Sequence, residues 1–224
     1  SPDGVLVSLQ NGINNDLIIP EVGETRFIAG VVGFGATNQG PGHISITSAE
    51  RIFSIGTVHS ANSRLLPAAA NILAEVGEVH ISENIFAEQW GKLAMNCVIN
   101  PFCAIHNRTF GENIRHTQTR LEMQKVLTEV IVVGRAAGVT FNKIGGKINL
   151  EKVFLIHVLK NTMHLANHVP SLLEKILAFL AYPVDLAKGA LVLKVIGRYH
   201  GNIMSSMWQD LHMNQKTEID VAKL

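Results

Sequence analysis

The 224 residues carry 19 Lys and Arg against 18 Asp and Glu, and 47% of them are hydrophobic. That length suits one large or two small domains. A net charge of +1 with scattered Lys and Arg excludes the concentrated basic face that nucleic acid requires. Cys97 and Cys103 form no metal-ligand or disulfide pattern, which points to a reducing, cytoplasmic setting. There Asn107-Arg108-Thr109, although a glycosylation sequon, carries no meaning. The most apolar stretch, Ile176 to Val184, is too short for a membrane span and reads as a buried helix.

In chain order, Val5 to Leu9 is a short apolar run consistent with a buried parallel strand. It delivers Asn11 into a Gln10-Asn11-Gly12 turn, a placement that suits the ligand crevice of an open α/β sheet. Arg26 to Gly35 gives a second strand. A turn over Asn38 to Gly42 then leads to strands at His43 to Thr47 and Arg51 to Ile55, and the whole reads as an antiparallel meander. Gly33-Phe34-Gly35 is rejected as a dinucleotide fingerprint: the third glycine is missing and a Pro-Gly turn stands where a helix should begin.

Asn62 to Val76 predicts an amphipathic helix stopped by Gly77, and Glu78 to Ile81 a final strand. Ser82 is expected to cap the next helix, which has Ile85, Phe86 and Trp90 on its apolar side. From there the pattern is helical. A long helix is expected over Asn113 to Ala137 with Gly138 as its stop, then a loop over Phe141 to Asn149. Two or three apolar helices broken at Pro170 and Pro183 should fill 150–200. His157, His164 and His168 lie among them without a matching carboxylate, so they read as polar helix surface and no metal is expected. The fold class is therefore α/β followed by all-α, with domains at 1–82 and 83–224.

Two polar clusters stand out. Lys92, Asn96 and Asn100 recur at i, i+4 and i+8, which aligns an ammonium and two carboxamides on one face of an otherwise apolar helix. Pro101 should stop or kink that helix. Near the other end, Ser206 and Asp210 share a helix face. Thr217-Glu218-Ile219-Asp220 reads as a capping box opening a further helix, with Glu218 in its favourable first turn. Only four residues follow, and the chain opens on Ser1-Pro2-Asp3-Gly4 directly before a strand. Truncation at both ends is expected.

Lys92-Leu-Ala-Met-Asn96-Cys-Val-Ile-Asn100-Pro101, then Gly111-Glu112, and Ser205-Ser206-Met207-Trp208-Gln209-Asp210 leading to Thr217-Glu218-Ile219-Asp220, together resemble the ketopantoate reductase (2-dehydropantoate 2-reductase) family. Asn11-Gly12 fits the same pattern. The resemblance covers the chain except 140–200, which either enlarges the helical domain or forms a homodimer surface. It implies a Rossmann-like NADPH-binding domain, a helical C-terminal domain of the 6-phosphogluconate dehydrogenase type, and an active site in the cleft between them. The implied activity is reduction of ketopantoate to pantoate in pantothenate biosynthesis. Lys92 would be the general acid, and Asn96, Asn100 and Ser206 would bind the keto acid. Asn11, Ala36 and Glu218 would line the cofactor site.

Two features depart from the family. The glycine-rich turn and first half of the Rossmann sheet are absent, so these residues alone are expected to bind NADPH weakly or not at all and not to turn over. Phe110 stands where the resemblance implies an asparagine on the substrate carboxylate. The alternatives are therefore a reductase of another 2-oxo acid and a non-catalytic helical module that dimerises or binds a partner.

Overall fold

The computed structural model describes residues 4–46, 48, 50–58, 64–141, 143–144, 148–149, 189–191, 193–194, 196–197 and 201–217. The chain forms two compact units that divide between Leu93 and Ala94.

In the first unit, β1 (Leu6–Ser8), β2 (Phe27–Val32), β5 (Ile52–Gly56) and β6 (Glu78–Ile81) form one sheet in the order β1-β2-β5-β6. β1 runs parallel to β2 and β5 parallel to β6, while β2 and β5 are antiparallel. Each parallel pair is joined through a helix, α1 (Asn15–Val22) for the first and α2 (Leu66–Ala74) for the second. These are two βαβ units set side by side, because parallel neighbours need a crossover connection.

Alternation along β2 explains why both faces are covered. Ile28 faces Ile55, Leu66 and Ala69 with α2. Phe27 and Ala29 pack with Ile85, Ile18, Ile19 and Val22 on the α1 side. β1 stands at the sheet's edge, so Val5 and Leu6 are exposed, where a buried strand was expected.

The meander is also corrected. Ala36–Gly40 is a strand, β3, paired with β4 (His43–Ile46) in a separate hairpin that turns at Pro41-Gly42. β5 returns to pair with β2 instead. The polar residues of β3 hid it from the hydrophobic pattern.

Helix α3 (Ile85–His106) begins in the first unit and continues into the second. Its cap is Asn84, whose Oδ1 accepts from the Ala87 amide at 3.1 Å. Ser82 sits too early to reach that amide. Its hydroxyl accepts from the Asn84 amide and bonds the Glu88 carboxylate. α3 does not stop at Pro101. The bond lost there is offset by tertiary packing of the following turn, where Cys103 is fully buried.

In the second unit the expected single helix over 113–137 is two: α4 (Phe110–Arg115) and α5 (Thr117–Ala136). His116 breaks them with an extended backbone (ψ 115°), and its ring accepts from the Thr119 amide as the cap of α5. α5 ends before Gly138 as expected. Lys143–Ile144 (β7) and Ile148–Asn149 (β8) pair as a hairpin within the segment expected to be a loop. Helical residues follow at 189–191, 193–194 and 196–197, then α6 (Ser206–His212). The helices anticipated around Pro170 and Pro183, their histidines, and the capping box from Glu218 onward lie outside the described residues. Among the described residues no helix is long and apolar enough to cross a membrane.

Candidate functional site

In the first unit, Asn11 and Gly12 form the turn after β1. Gly12 has φ +82°, the left-handed region that a residue without Cβ adopts freely, and so lets the chain leave the strand sharply. Asn11 is exposed on this turn, and its carbonyl accepts from the Asn14 side-chain amide at 3.1 Å. Asn14 is itself buried, and its Oδ1 has no partner among the described residues. The Asn11 carbonyl needs a donor, which fixes the Asn14 Nδ2 toward it and leaves Oδ1 as the buried acceptor.

Asn15, the next residue, forms a reciprocal pair with Gln89 of α3: Nδ2 donates to Oε1 at 2.7 Å and Nε2 donates back to Oδ1 at 3.2 Å. This ties the first turn of α1 to α3, one helical turn before Lys92. Lys92 is half-buried on that helix between the buried Gly91 and Leu93. Ala36 opens β3, exposed, in register with Ile46 of the hairpin.

In the second unit, Asn96 is half-buried and Asn100 is 8% exposed. Ser205 is buried and donates its hydroxyl to the Asn100 carbonyl at 3.1 Å, while accepting from the Trp208 amide as the cap of α6. Trp208 Nε1 donates to Asn107 Oδ1 at 2.6 Å, a second tie between α6 and the end of α3. Ser206, the next residue, is exposed at the start of α6. The structure thus brings Asn100 and the Ser206 segment together through Ser205, which the motif contains but to which the resemblance gives no role. Its only local signal was a hydroxyl placed three residues before the Trp208 amide. The position of Glu218 lies outside the described residues.

Gly111-Glu112 has a local structural explanation. A Cβ on Gly111 would meet the Gly201 carbonyl oxygen at 2.8 Å, and the Gly111 amide donates to that oxygen at 2.9 Å. Glu112 completes a capping box with Thr109, taking the Thr109 amide and hydroxyl at 2.8 Å each. These bonds, the amide's first, with help from Arg115 and Arg108, hold its carboxyl below the usual range. Phe110 is fully buried, its amide bonded to the Ile203 carbonyl. Burial raises the thiol of Cys97 and pushes that of Cys103 up to about 11, so neither is an activated nucleophile. Among the described residues no group of three or more His, Cys, Asp or Glu is placed to hold a metal ion.

The model of the ketopantoate reductase PanE/ApbA C terminal matches residues 84–222, and that of ketopantoate reductase PanE/ApbA matches 1–60. A 2-dehydropantoate 2-reductase of Shigella flexneri is 30% identical over 185 residues, 82% of this chain and 56% of that protein. One from Pyrococcus abyssi is 31% identical over 112 residues, 48% of this chain and 37% of its own length. The chain spans about half the length of the curated relatives it matches.

Among solved structures, the PanE/ApbA family ketopantoate reductase of Ralstonia eutropha JMP134 is similar at a TM-score of 0.66 and 24% identity. That likeness covers 98% of this chain and 57% of that one. D-mandelate dehydrogenase in complex with NADH is similar at 0.68 and 19%, over 97% of this chain and 60% of its own. At these identities the likeness is one of fold: part of a Rossmann-like domain followed by a helical domain. With its C-terminal model spanning more than half of the sequence, the chain belongs to the ketopantoate reductase PanE/ApbA family.

Proposed function

We propose that this chain serves the NADPH-dependent reduction of ketopantoate (2-dehydropantoate) to pantoate in pantothenate biosynthesis, with Lys92 as the general acid. Residues 1–82 belong to the dinucleotide-binding domain in this reading, and 83–224 form the helical substrate domain. The observation that carries it is α3 itself, an otherwise largely buried helix with Lys92, Asn96 and Asn100 recurring every fourth residue. A half-buried ammonium in line with two carboxamides on one helix face is the arrangement that binding a keto acid and donating a proton to it would use.

The residues present fit a nicotinamide dinucleotide on the β1 side. Asn14 keeps a buried acceptor without a donor beside the Asn11 turn, and hydroxyl and carboxamide groups of such a cofactor are donors. Asn11, Ala36 and Glu218 would hold it there. When bound in its reduced form, the cofactor supplies a hydride for the keto carbon.

The chain's own residues do the rest. Asn96, Asn100 and Ser206 bind the keto acid through neutral donors that do not compete as acids. The Lys92 ammonium stabilises the negative charge that develops on the keto oxygen and then donates its proton to it. Glu218, if it approaches Lys92, keeps the ammonium charged.

The D-mandelate dehydrogenase is described with NADH, so comparing NADPH with NADH tests the cofactor preference. A homodimer in the cytoplasm is the proposed assembly, as a Staphylococcus aureus ketopantoate reductase of similar fold is described as dimeric. Light scattering on the purified protein tests it.

One observation favours a second reading. Phe110 is fully buried and has no polar group to offer a substrate carboxylate, which supports a 2-oxo acid other than ketopantoate. Turnover on a panel of 2-oxo acids decides between them. A clear preference for another acid replaces the first reading.

A further inference from the structure

The Asn15–Gln89 pair has no place in the chemistry above. Both carboxamides are buried, 2% and 5% exposed, and they bond each other across 74 residues of chain. In a reciprocal pair each amide gives one N–H and takes another, so neither side chain rotates without breaking both bonds. Two apolar residues of the same shape would fill the space at no greater cost, because buried amides gain little net adhesion over their lost hydration. What the pair adds is orientation.

On one side it fixes the first residue of α1. The neighbouring Asn14 amide holds the Asn11 carbonyl at 3.1 Å, and the Asn14 carbonyl accepts from the Leu17 and Ile18 amides at 3.1 and 3.2 Å. On the other side it fixes Gln89, three residues before Lys92 and therefore adjacent to it along the helix face. All of these residues belong to the first unit.

We infer that the Asn15–Gln89 pair is a clamp that sets the register of α3, and with it Lys92, against the Asn11–Gly12 turn. Asn15 and Gln89 are then positioning residues, acting through Lys92 and Asn11 without touching substrate. The inference rests on the reductase reading for its effect on catalysis, but not for the linkage itself.

The test compares Gln89→Met, which keeps the bulk and loses the pair, with the exchanged double variant Asn15→Gln/Gln89→Asn, which restores a pair of the same total length. Each is made in the protein expressed from its complete gene. Steady-state kinetics with NADPH and a 2-oxo acid are read beside the melting temperature and the hydrogen exchange of the Leu17 and Ile18 amides. Misplacing a catalytic group by about 1 Å can cost up to about 100-fold. Gln89→Met is therefore expected to lower kcat by about tenfold or more with KM nearly unchanged, and the exchanged variant to recover most of it.

A Gln89→Met enzyme within twofold of wild type overturns the clamp. So does an exchanged variant that regains the melting temperature but not kcat. If Gln89→Met fails to fold, the exchanged variant decides alone: wild-type kcat sustains the clamp, and a folded enzyme with depressed kcat overturns it. If the wild type reduces no 2-oxo acid, the reductase reading falls and exchange decides the linkage. Faster exchange at Leu17 and Ile18 in Gln89→Met, restored in the exchanged variant, sustains it. Unchanged exchange in Gln89→Met overturns it.

Discussion

Ser205 and Ser206 are adjacent, chemically identical and differently employed. Ser205 is 3% exposed, caps α6 and holds the Asn100 carbonyl, so its hydroxyl is committed to structure. Ser206 is exposed and its hydroxyl is available to a ligand. Ser205→Ala removes a cap and a buried bond together, and should lower stability by about 1–2 kcal/mol in denaturant unfolding. Ser206→Ala should leave stability within about 0.5 kcal/mol and instead raise KM for the 2-oxo acid. A loss of stability in Ser206→Ala equal to that in Ser205→Ala would contradict the division. The sequence motif contains both serines, but which one is buried depends on α3, about a hundred residues away, and no local pattern encodes that. The Lys92, Asn96, Asn100 stripe was legible because helical spacing alone puts those residues on one face.

At the scale of elements, the break between α4 and α5 is a matter of caps. Thr109 and Glu112 close one helix start and His116 the next, and a hydrophobic period running through both helices conceals the break. Because the Glu112 carboxyl is held below the usual range in the folded chain, its contribution is present above the unfolded value of about 4.5. It is lost as pH falls through the folded value. Melting temperatures measured across the acid range should therefore drop more steeply for wild type than for Glu112→Gln. Parallel curves would show that the capping carboxylate is not linked to stability.

Gly111 was legible as part of a motif, but its reason was not. The reason is a backbone, that of Gly201, which stands where a Cβ would go. Gly111→Ala should destabilise by about 1–3 kcal/mol, since the obstruction is main chain and cannot swing aside. A melting temperature equal to wild type would place that contact elsewhere. The start of α3 was misread, and the stop that Pro101 offered was not taken, for the same kind of reason. Asn84 rather than Ser82 caps it, and packing carries it past Pro101, where propensity alone would end it.

For the whole molecule, the order α/β then largely helical was readable because short strand-like apolar runs alternate with turns and a helix up to about residue 82, and long helical periods follow. The pairing of β2 with β5 around an intervening hairpin was not readable, since strand order is set by long-range packing of both sheet faces. The buried thiol of Cys103 gives a global signature. Its folded value of about 11 lies above the unfolded value of 9.0, so the thiol's contribution to stability is fully present below pH 9.0 and is lost as pH rises toward 11. Cys103→Ala should flatten that part of the alkaline limb in thermal unfolding; an unchanged limb would assign the decline to other groups.

The central claim, that α3 carries the proton donor of a 2-oxo acid reductase, meets its most direct test in one assay. NADPH consumption with ketopantoate is followed for the protein expressed from its complete gene and for its Lys92→Ala variant. Loss of a positioned general acid lowers the rate by about two to four orders of magnitude, and that loss is the predicted result. A wild type that turns over beside a variant of equal rate would remove Lys92 from the chemistry. A wild type that binds NADPH but leaves ketopantoate untouched would keep the fold and the cofactor and send the substrate search to the other 2-oxo acids that Phe110 suggests.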